Sequence, residues 1–157
     1  MYRTIIFKDF PDFRPNLSPQ EMFEIGIMGG SYFRTICSPR TNKTYKNRYK
    51  KYKSLKNIPK YKICGETYNK NINLYRVKSG SSYKEWMESN WINENVDPYG
   101  WIEWYINFYE GRRSKDDERQ IKRWKLLAGS NGRFYTRKNK TCRILQTLLH
   151  WGVIIKN

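Results

Sequence analysis

The densest group of chemically active side chains lies in the run GRRSKDDERQIKRW, where Arg112 and Arg113 precede Asp116, Asp117 and Glu118. Paired arginines and a helix N-terminus favour a phosphate, and neighbouring carboxylates can hold a divalent metal for phosphodiester chemistry. The same acids are common in the first turn of a helix, where they cap the helix and pair with arginines without any ligand. We favour this structural interpretation of the three acids.

A further arginine, Arg34, stands among apolar and β-forming residues in the run SYFRTIC. Such an arginine can anchor an anion from a half-buried position, or it can be a structural partner of an acid or a carbonyl group. The residue types leave both interpretations open. The resulting candidate anion pocket consists of Arg34, Arg112, Arg113 and Arg119.

The sequence predicts no metal site and no cofactor. Cys37, Cys64, Cys142 and His150 lack the short paired spacings of structural zinc sites, and the odd number of cysteines favours a reducing compartment over a disulfide framework. His150 precedes Trp151 in a predicted core helix, so we expect an interior histidine rather than a catalytic base. No phosphate-binding loop of the Walker type is present.

Positive charge is strongly segregated along the chain. The 157 residues carry a net charge of +17, yet segments 40–62 and 122–143 contain no acid at all. Ordinary solvated surfaces mix both signs, although a basic run can also be plain surface. A segregated excess of this size favours a polyanionic partner.

The first basic segment, 40–62, also interleaves Tyr45, Tyr49, Tyr52 and Tyr61 with its bases. Such tyrosines can stack on sugars or bases, or they can pack onto the core; the polar composition of the segment is typical of a loop or insert that could order only when bound. The predicted nucleic-acid-binding residues are Arg40, Lys43, Lys46, Arg48, Lys50, Lys51, Lys53, Arg123, Arg133, Arg137, Lys138 and Lys140.

The elements that position these residues form a predominantly helical α+β protein. We expect one compact domain over 1–157, with a Trp- and Tyr-rich helical C-terminal half and a short strand pair formed by 31–37 and 71–78. Trp101, Trp104, Tyr105 and Phe108 recur at helical spacing and are assigned to the core rather than to a stacking platform.

Local signals place the helices. A capping box at Ser18 and Glu21 begins a helix that Gly29 and Gly30 end, and Ser82 with Glu85 begins another. Asp97 is expected to cap a helix that ends at Gly111, and Ser114 with Asp117 to begin the next one. Loop residues 129–140 then lead to a last helix, with Ile144, Leu145, Leu148 and Trp151 facing inward.

The motifs GGSYFRTI, DPYGWIEWY, YEGRRSKDDERQIKRW and QTLLHWG resemble an uncharacterised family found in fungi, algae and large DNA viruses. The resemblance spans most of the chain, implies a compact domain of viral origin and transfers no function. Its pattern covers Gly29, Gly30, Tyr32, Phe33, Arg34, Trp101, Trp104, Tyr105, Gly111, Arg112, Arg113, Asp117, Arg119, Gln120, Arg123 and Trp124.

Our leading hypothesis is a non-enzymatic protein that binds nucleic acid without sequence specificity, DNA ahead of RNA, and that packages or organises viral DNA. One alternative is a nuclease or base-processing enzyme with Arg34, Arg112, Arg113 and Asp117 in a cleft. Another is a structural virion protein that binds an acidic partner. No segment has the length of a membrane span or a signal peptide, so we expect an intracellular protein of the nucleus, viral factory or virion, without a membrane partner.

Overall fold

A computed structural model describes residues 2–80, 83–88 and 91–155, and within them it contains five α-helices and one two-stranded antiparallel sheet. The helices are α1 (Pro19–Ile25), α2 (Tyr83–Glu88), α3 (Trp101–Tyr109), α4 (Asp117–Leu127) and α5 (Cys142–His150). The strands are β1 (Ile36–Cys37) and β2 (Thr44–Tyr45), with Ile36 opposite Tyr45 and Cys37 opposite Thr44. The predicted α+β class, predominantly helical with a short strand pair, is confirmed.

Helix α1 begins where the capping box predicts. The Ser18 hydroxyl accepts the Glu21 amide N–H at 3.2 Å, and the Glu21 carboxylate accepts the Ser18 amide N–H at 2.8 Å. The helix ends earlier than predicted, because Gly26 takes a left-handed φ of 114° that turns the chain away. Gly29 and Gly30 belong to a separate short 3-10 turn, so their prediction as the helix stop was wrong.

The predicted strand pairing was also wrong. Residues 31–34 form a turn in which the Arg34 amide donates to the Ser31 carbonyl, and only Ile36 and Cys37 of the predicted strand pair with another strand. Their partner is β2 inside the first basic segment, whereas residues 71–78 form turns. The backbone groups of 71–78 bond elsewhere, for example the Leu74 amide to the Gly26 carbonyl.

Helix α3 is the central element, as its apolar sequence predicts. Trp101, Trp104, Tyr105 and Phe108 are at most 6% exposed, which confirms their assignment to the core. The helix begins after Gly100, however, which has no side chain to cap it, and the Tyr32 hydroxyl accepts the first-turn Glu103 amide at 3.0 Å instead. The predicted Asp97 cap was therefore wrong.

Phe13 joins the N-terminal segment to the C-terminal helices. This fully buried ring packs against aromatic side chains of α3 and α4 with centroid distances of 5.1 to 6.2 Å. Its partners are Trp101, Trp104, Tyr105, Phe108 and Trp124. The aromatic core is thus completed by a residue about 90 positions before most of its neighbours in the chain.

The last two helices follow their predicted faces in part. In α4, Ile121, Trp124 and Ala128 at its end are buried as expected. In α5, Leu148 is fully buried, while the other residues predicted to face inward are only half-buried. Those half-buried residues are Ile144, Leu145 and Trp151, and the buried stripe instead includes Gln146, Leu149 and His150. The predicted capping residue Ser82 lies outside the described residues.

Candidate nucleic-acid interface

The first basic segment, 40–62, lies on the protein surface and is anchored in the core. Tyr52, Leu55 and Ile58 are buried and anchor it in the core. Apolar side chains can fix such a polar segment because each buried one contributes on the order of 1.5–3 kcal/mol. Besides β2, the segment contains three short 3-10 turns at Arg48–Lys51, Lys53–Leu55 and Lys60–Lys62.

Three carboxylates hold successive points of this segment, and we call Glu94, Glu103 and Glu110 the carboxylate clip. Glu94 accepts hydrogen bonds from the hydroxyl groups of Ser38, Thr41 (2.7 Å) and Tyr45 (3.3 Å). Burial raises the pKa of Glu94, but these hydrogen bonds outweigh that effect and leave its pKa lowered. Glu94 therefore remains an ionised acceptor at the start of the segment.

Glu103 is the buried centre of the clip. Its carboxylate is fully buried and accepts Arg48 Nε at 2.9 Å, the Tyr52 hydroxyl at 2.6 Å and the Tyr99 amide at 3.2 Å. Burial, followed by the negative charge of Glu103, raises the pKa of Tyr52 far above its usual range. Tyr52 is consequently a permanent donor to this carboxylate.

Glu110 completes the clip at the end of α3. Its carboxylate accepts the Ser54 amide at 3.0 Å and the Ser54 hydroxyl at 2.8 Å, with a longer bond from the Lys53 amide at 3.4 Å. Glu103, Asn107 and Glu110 follow one another at intervals of four and three residues, so they lie on one stripe of α3. This polar stripe faces the basic segment.

A second buried ion pair adjoins the clip. Arg112 donates to both carboxylate oxygens of Asp97 at 2.8 and 2.6 Å, and Asn107 donates to Asp97 and to the Tyr52 hydroxyl, each at 3.0 Å. Burial raises the pKa of Asp97 even though Arg112 opposes the shift. Asp97 does not cap α3 because both of its carboxylate oxygens accept hydrogen bonds from Arg112.

Above these buried acids, the first segment exposes mainly lysines. Lys51 is exposed near Arg48, and burial followed by the charge of Arg48 lowers its pKa. Arg48 itself is half-buried and committed to Glu103, and Arg40 donates to the Met87 carbonyl at 2.5 Å. The exposed lysines among the predicted binding residues are Lys43, Lys46, Lys50, Lys51 and Lys53.

The tyrosines of the segment differ in their environment. Tyr52 is 4% exposed, and Tyr45 and Tyr49 are half-buried against the core, whereas Tyr61 is 59% exposed. The core interpretation therefore applies to Tyr52. Among the four, Tyr61 has the most surface available for stacking.

The second basic segment, 122–143, comprises most of α4 and the loop that follows it. Arg123 is half-buried and donates to Gln120 at 2.8 Å and to the Trp91 carbonyl at 3.0 Å. Burial, together with the neighbouring charge of Arg119, lowers the pKa of Arg123 to about 10. Arg133, Arg137 and Lys138 are exposed on the loop, and Lys140 is half-buried and donates to the Arg137 carbonyl at 2.8 Å.

The first basic segment and the first half of α4 contact different faces of α3. The first meets the stripe that carries Glu103 and Glu110, whereas α4 accepts hydrogen bonds from the indoles of Trp101 and Trp104. At 3.6 residues per turn these two stripes are about a third of a turn apart. Segment 40–62 and the start of α4 therefore lie against different faces of this helix.

The candidate anion pocket is divided among separate internal contacts. Arg34 donates to the Ser31 and Tyr32 carbonyls at 3.2 and 3.4 Å, as its structural interpretation expects. The remaining three arginines pair with three different carboxylates: Arg112 with Asp97 at 2.6 Å, Arg113 with Asp9 at 2.6 Å, and Arg119 with Asp116 at 2.5 Å.

Asp117 has a structural environment. It is 2% exposed and accepts the Trp104 indole N–H and the Ser114 amide, both at 2.8 Å. The burial and bonds of Asp117 match a structural role and leave it without access to a substrate, although the side chain of the N-cap residue Asp116 makes no capping bond and pairs with Arg119. Within residues 2–80, 83–88 and 91–155, no cluster of His, Cys, Asp or Glu is placed to hold a metal ion.

His150 is an interior histidine, as expected. Its Nε2 accepts the Met28 amide at 3.1 Å and lies 3.1 Å from the Gln146 amide nitrogen. Burial lowers the pKa of His150 to about 3.

The three cysteines, Cys37, Cys64 and Cys142, are free thiols. Among the helices of the described residues, none combines the length and the apolar composition that a membrane span requires.

Comparison with protein-family models, curated proteins and solved structures returns no significant match to this chain. The site must therefore be interpreted from its own chemistry. Its most informative residues, Glu103 and Asn107, were missed by the sequence reasoning. Part of their signal was available, since they are polar residues four apart in an otherwise apolar helix.

Proposed function

We propose that the protein binds the phosphate backbone of nucleic acid, without reading its sequence, through the two basic segments. One observation carries the proposal: segment 40–62 is held from beneath by Glu94, Glu103 and Glu110 while its lysines remain exposed. Because these contacts hold the backbone of the segment, we expect little of it to reorder when a partner binds. A preformed surface loses little conformational entropy on binding.

The exposed lysines suit phosphate contact. Lys43, Lys46, Lys50 and Lys53 are exposed, and the carboxylates of the clip accept bonds from arginine, tyrosine and backbone donors rather than from these ammonium groups. Each lysine that neutralises a phosphate releases a condensed counterion, which makes affinity depend on salt. Segment 40–62 itself contains no acid, so its ten basic residues outnumber the three carboxylates of the clip that contact it.

The test measures affinity for a fluorescent oligonucleotide between about 50 and 200 mM salt. A variant with Lys43, Lys46, Lys50 and Lys53 replaced by glutamine should bind more weakly, and its log–log salt slope should fall by about 0.9 on a duplex, or about 0.7 on a single strand, for each phosphate that is no longer neutralised. The matched control replaces four exposed lysines from charge-balanced regions, namely Lys8, Lys70, Lys78 and Lys115.

Both quadruple variants lose the same net charge. A larger loss of affinity and slope in the first variant supports a local interface in segment 40–62. Equal losses in both would indicate a diffuse field effect and contradict the role of this segment. Binding that is absent, or independent of salt, would overturn the proposed function.

A further inference from the structure

A half-open cleft of about 500 Å³ lies beside the second basic segment. It is formed by the N-terminal segment, the end of α4 and the loop that follows α4. Trp124, Ala128 and Val153 line it and are at most 4% exposed, so they supply an apolar floor. Its volume falls within the roughly 300–1,000 Å³ typical of small-ligand sites.

One wall of the cleft carries an accessible aromatic ring. Tyr135 lines the cleft and is 40% exposed, unlike most of the aromatic side chains of the core. The Lys140 ammonium lies 5.9 Å from the centre of this ring. An exposed aromatic ring beside a cation offers a stacking surface for any nucleobase, because every base has a π-face.

The rim of the cleft is predominantly cationic. Arg14 and Lys125 line it, and Asp12 is the acid among its lining residues. Asp12 and Lys125 form a pair at 3.1 Å between side chains that are 78% and 46% exposed. Exposed pairs of this kind are weak, so a phosphate can compete with Asp12 for Lys125. Arg133, in the loop that follows α4, is also exposed.

From these features we infer that the cleft accepts one unstacked nucleobase, which stacks on Tyr135 while Arg14 and Lys125 hold its phosphate. This inference rests on the proposed function and names its ligand class, single-stranded nucleic acid. A base in a duplex is stacked and paired and must be extruded at a cost before it can enter such a cleft. A single strand presents unstacked bases without that cost.

The test compares three fluorescent ligands of equal length and label at one salt concentration: oligo(dT), an abasic strand with the same number of phosphates, and a duplex. We expect oligo(dT) to bind roughly 10-fold more tightly than the abasic strand, the range that base stacking on an aromatic side chain provides. Tyr135→Ala should abolish this difference, and Tyr135→Phe should retain it because the ring is kept.

A matched control separates stacking from charge. Lys138→Gln, an exposed base on the same loop, should weaken binding to oligo(dT) and the abasic strand equally. A strand containing 5-iodouracil should form a photo-crosslink that mass spectrometry maps to Tyr135. Circular dichroism of the Tyr135→Ala variant verifies that it is folded.

The outcomes distinguish the two proposals. Equal, salt-dependent binding of oligo(dT) and the abasic strand would overturn the base cleft and leave the phosphate interface standing. Tighter binding of a duplex than of oligo(dT), compared at an equal number of phosphates, would also overturn the cleft. Failure of all three ligands to bind would overturn the proposed function itself.

Discussion

At the scale of single residues, His150 has an environment that excludes its charged form. Its Nε2 accepts the Met28 amide, so a proton on that nitrogen would remove an acceptor from a buried backbone donor. The pKa of His150 is lowered to about 3 by burial, whereas an unfolded histidine titrates near 6.5. Between these values the unfolded chain binds one proton more than the folded one, so stability falls as the pH falls below about 6.5.

Urea unfolding of the wild type and of His150→Gln at pH 7 and pH 5 tests this linkage. The histidine should contribute about 2 kcal/mol to the stability that the wild type loses over this interval, and the variant should lack that contribution. The difference between the two proteins removes the effect of carboxylates, which both share. Identical pH dependence in both would contradict a neutral buried His150.

At the scale of elements, the polar stripe of α3 holds the basic segment in place. Its two glutamates differ in burial, so substituting each of them tests which one anchors the segment. Glu103 is fully buried with Arg48 as its partner, whereas Glu110 is exposed at the end of the helix. Glu103→Ala should lower the free energy of unfolding by about 3 kcal/mol, because it leaves a partly buried guanidinium without its partner.

Glu110→Ala should cost less than about 1 kcal/mol, since its bonds are made in contact with water. Chemical denaturation measures both values, and hydrogen exchange should report faster amide exchange around Tyr52 in Glu103→Ala. If both variants lose the same stability, Glu103 is not the anchor of the clip.

The elements also show which features the sequence determines locally. The Ser18 capping box and the apolar face of α3 were predicted correctly because their signals lie within a few residues of each other. Asp97 was wrongly assigned as a cap because its real partner, Arg112, follows fifteen residues later across an entire helix. The pairing of β1 with β2 was missed because a contact of two residues leaves almost no alternating pattern to detect.

The candidate site residues were likewise predictable from the sequence only in part. Charge segregation pointed to segments 40–62 and 122–143, and the structure gives many of their lysines an exposed position. Sequence could not separate those lysines from Arg48, whose carboxylate partner Glu103 is 55 residues away. Long-range ion pairs depend on the fold and not on spacing along the chain.

At the scale of the whole molecule, the N-terminal segment and the C-terminal helices share one aromatic core through Phe13. Phe13→Ala should cost about 3–5 kcal/mol, the usual penalty for a cavity of that size. Phe10→Ala is the control within the same segment, because Phe10 is only half-buried and its smaller burial predicts a smaller cost.

Tryptophan fluorescence and far-ultraviolet circular dichroism should give coincident unfolding curves for the wild type, since a single core unfolds as one unit. This measurement also tests the prediction of one domain over 1–157. Two separate transitions would show that the segment carrying Phe13 is not integral to the helical core.

The carboxylate clip also has a consequence for folding of the chain during its synthesis on the ribosome. Segment 40–62 is synthesised before Glu94, Glu103 and Glu110 exist, and domains emerge N-terminus first at about 5–20 residues per second. For several seconds the nascent chain therefore displays ten basic residues with no internal acid to hold them, close to ribosomal RNA. Completion of the fold of that stretch awaits the emergence of α3, which carries Glu103 and Glu110.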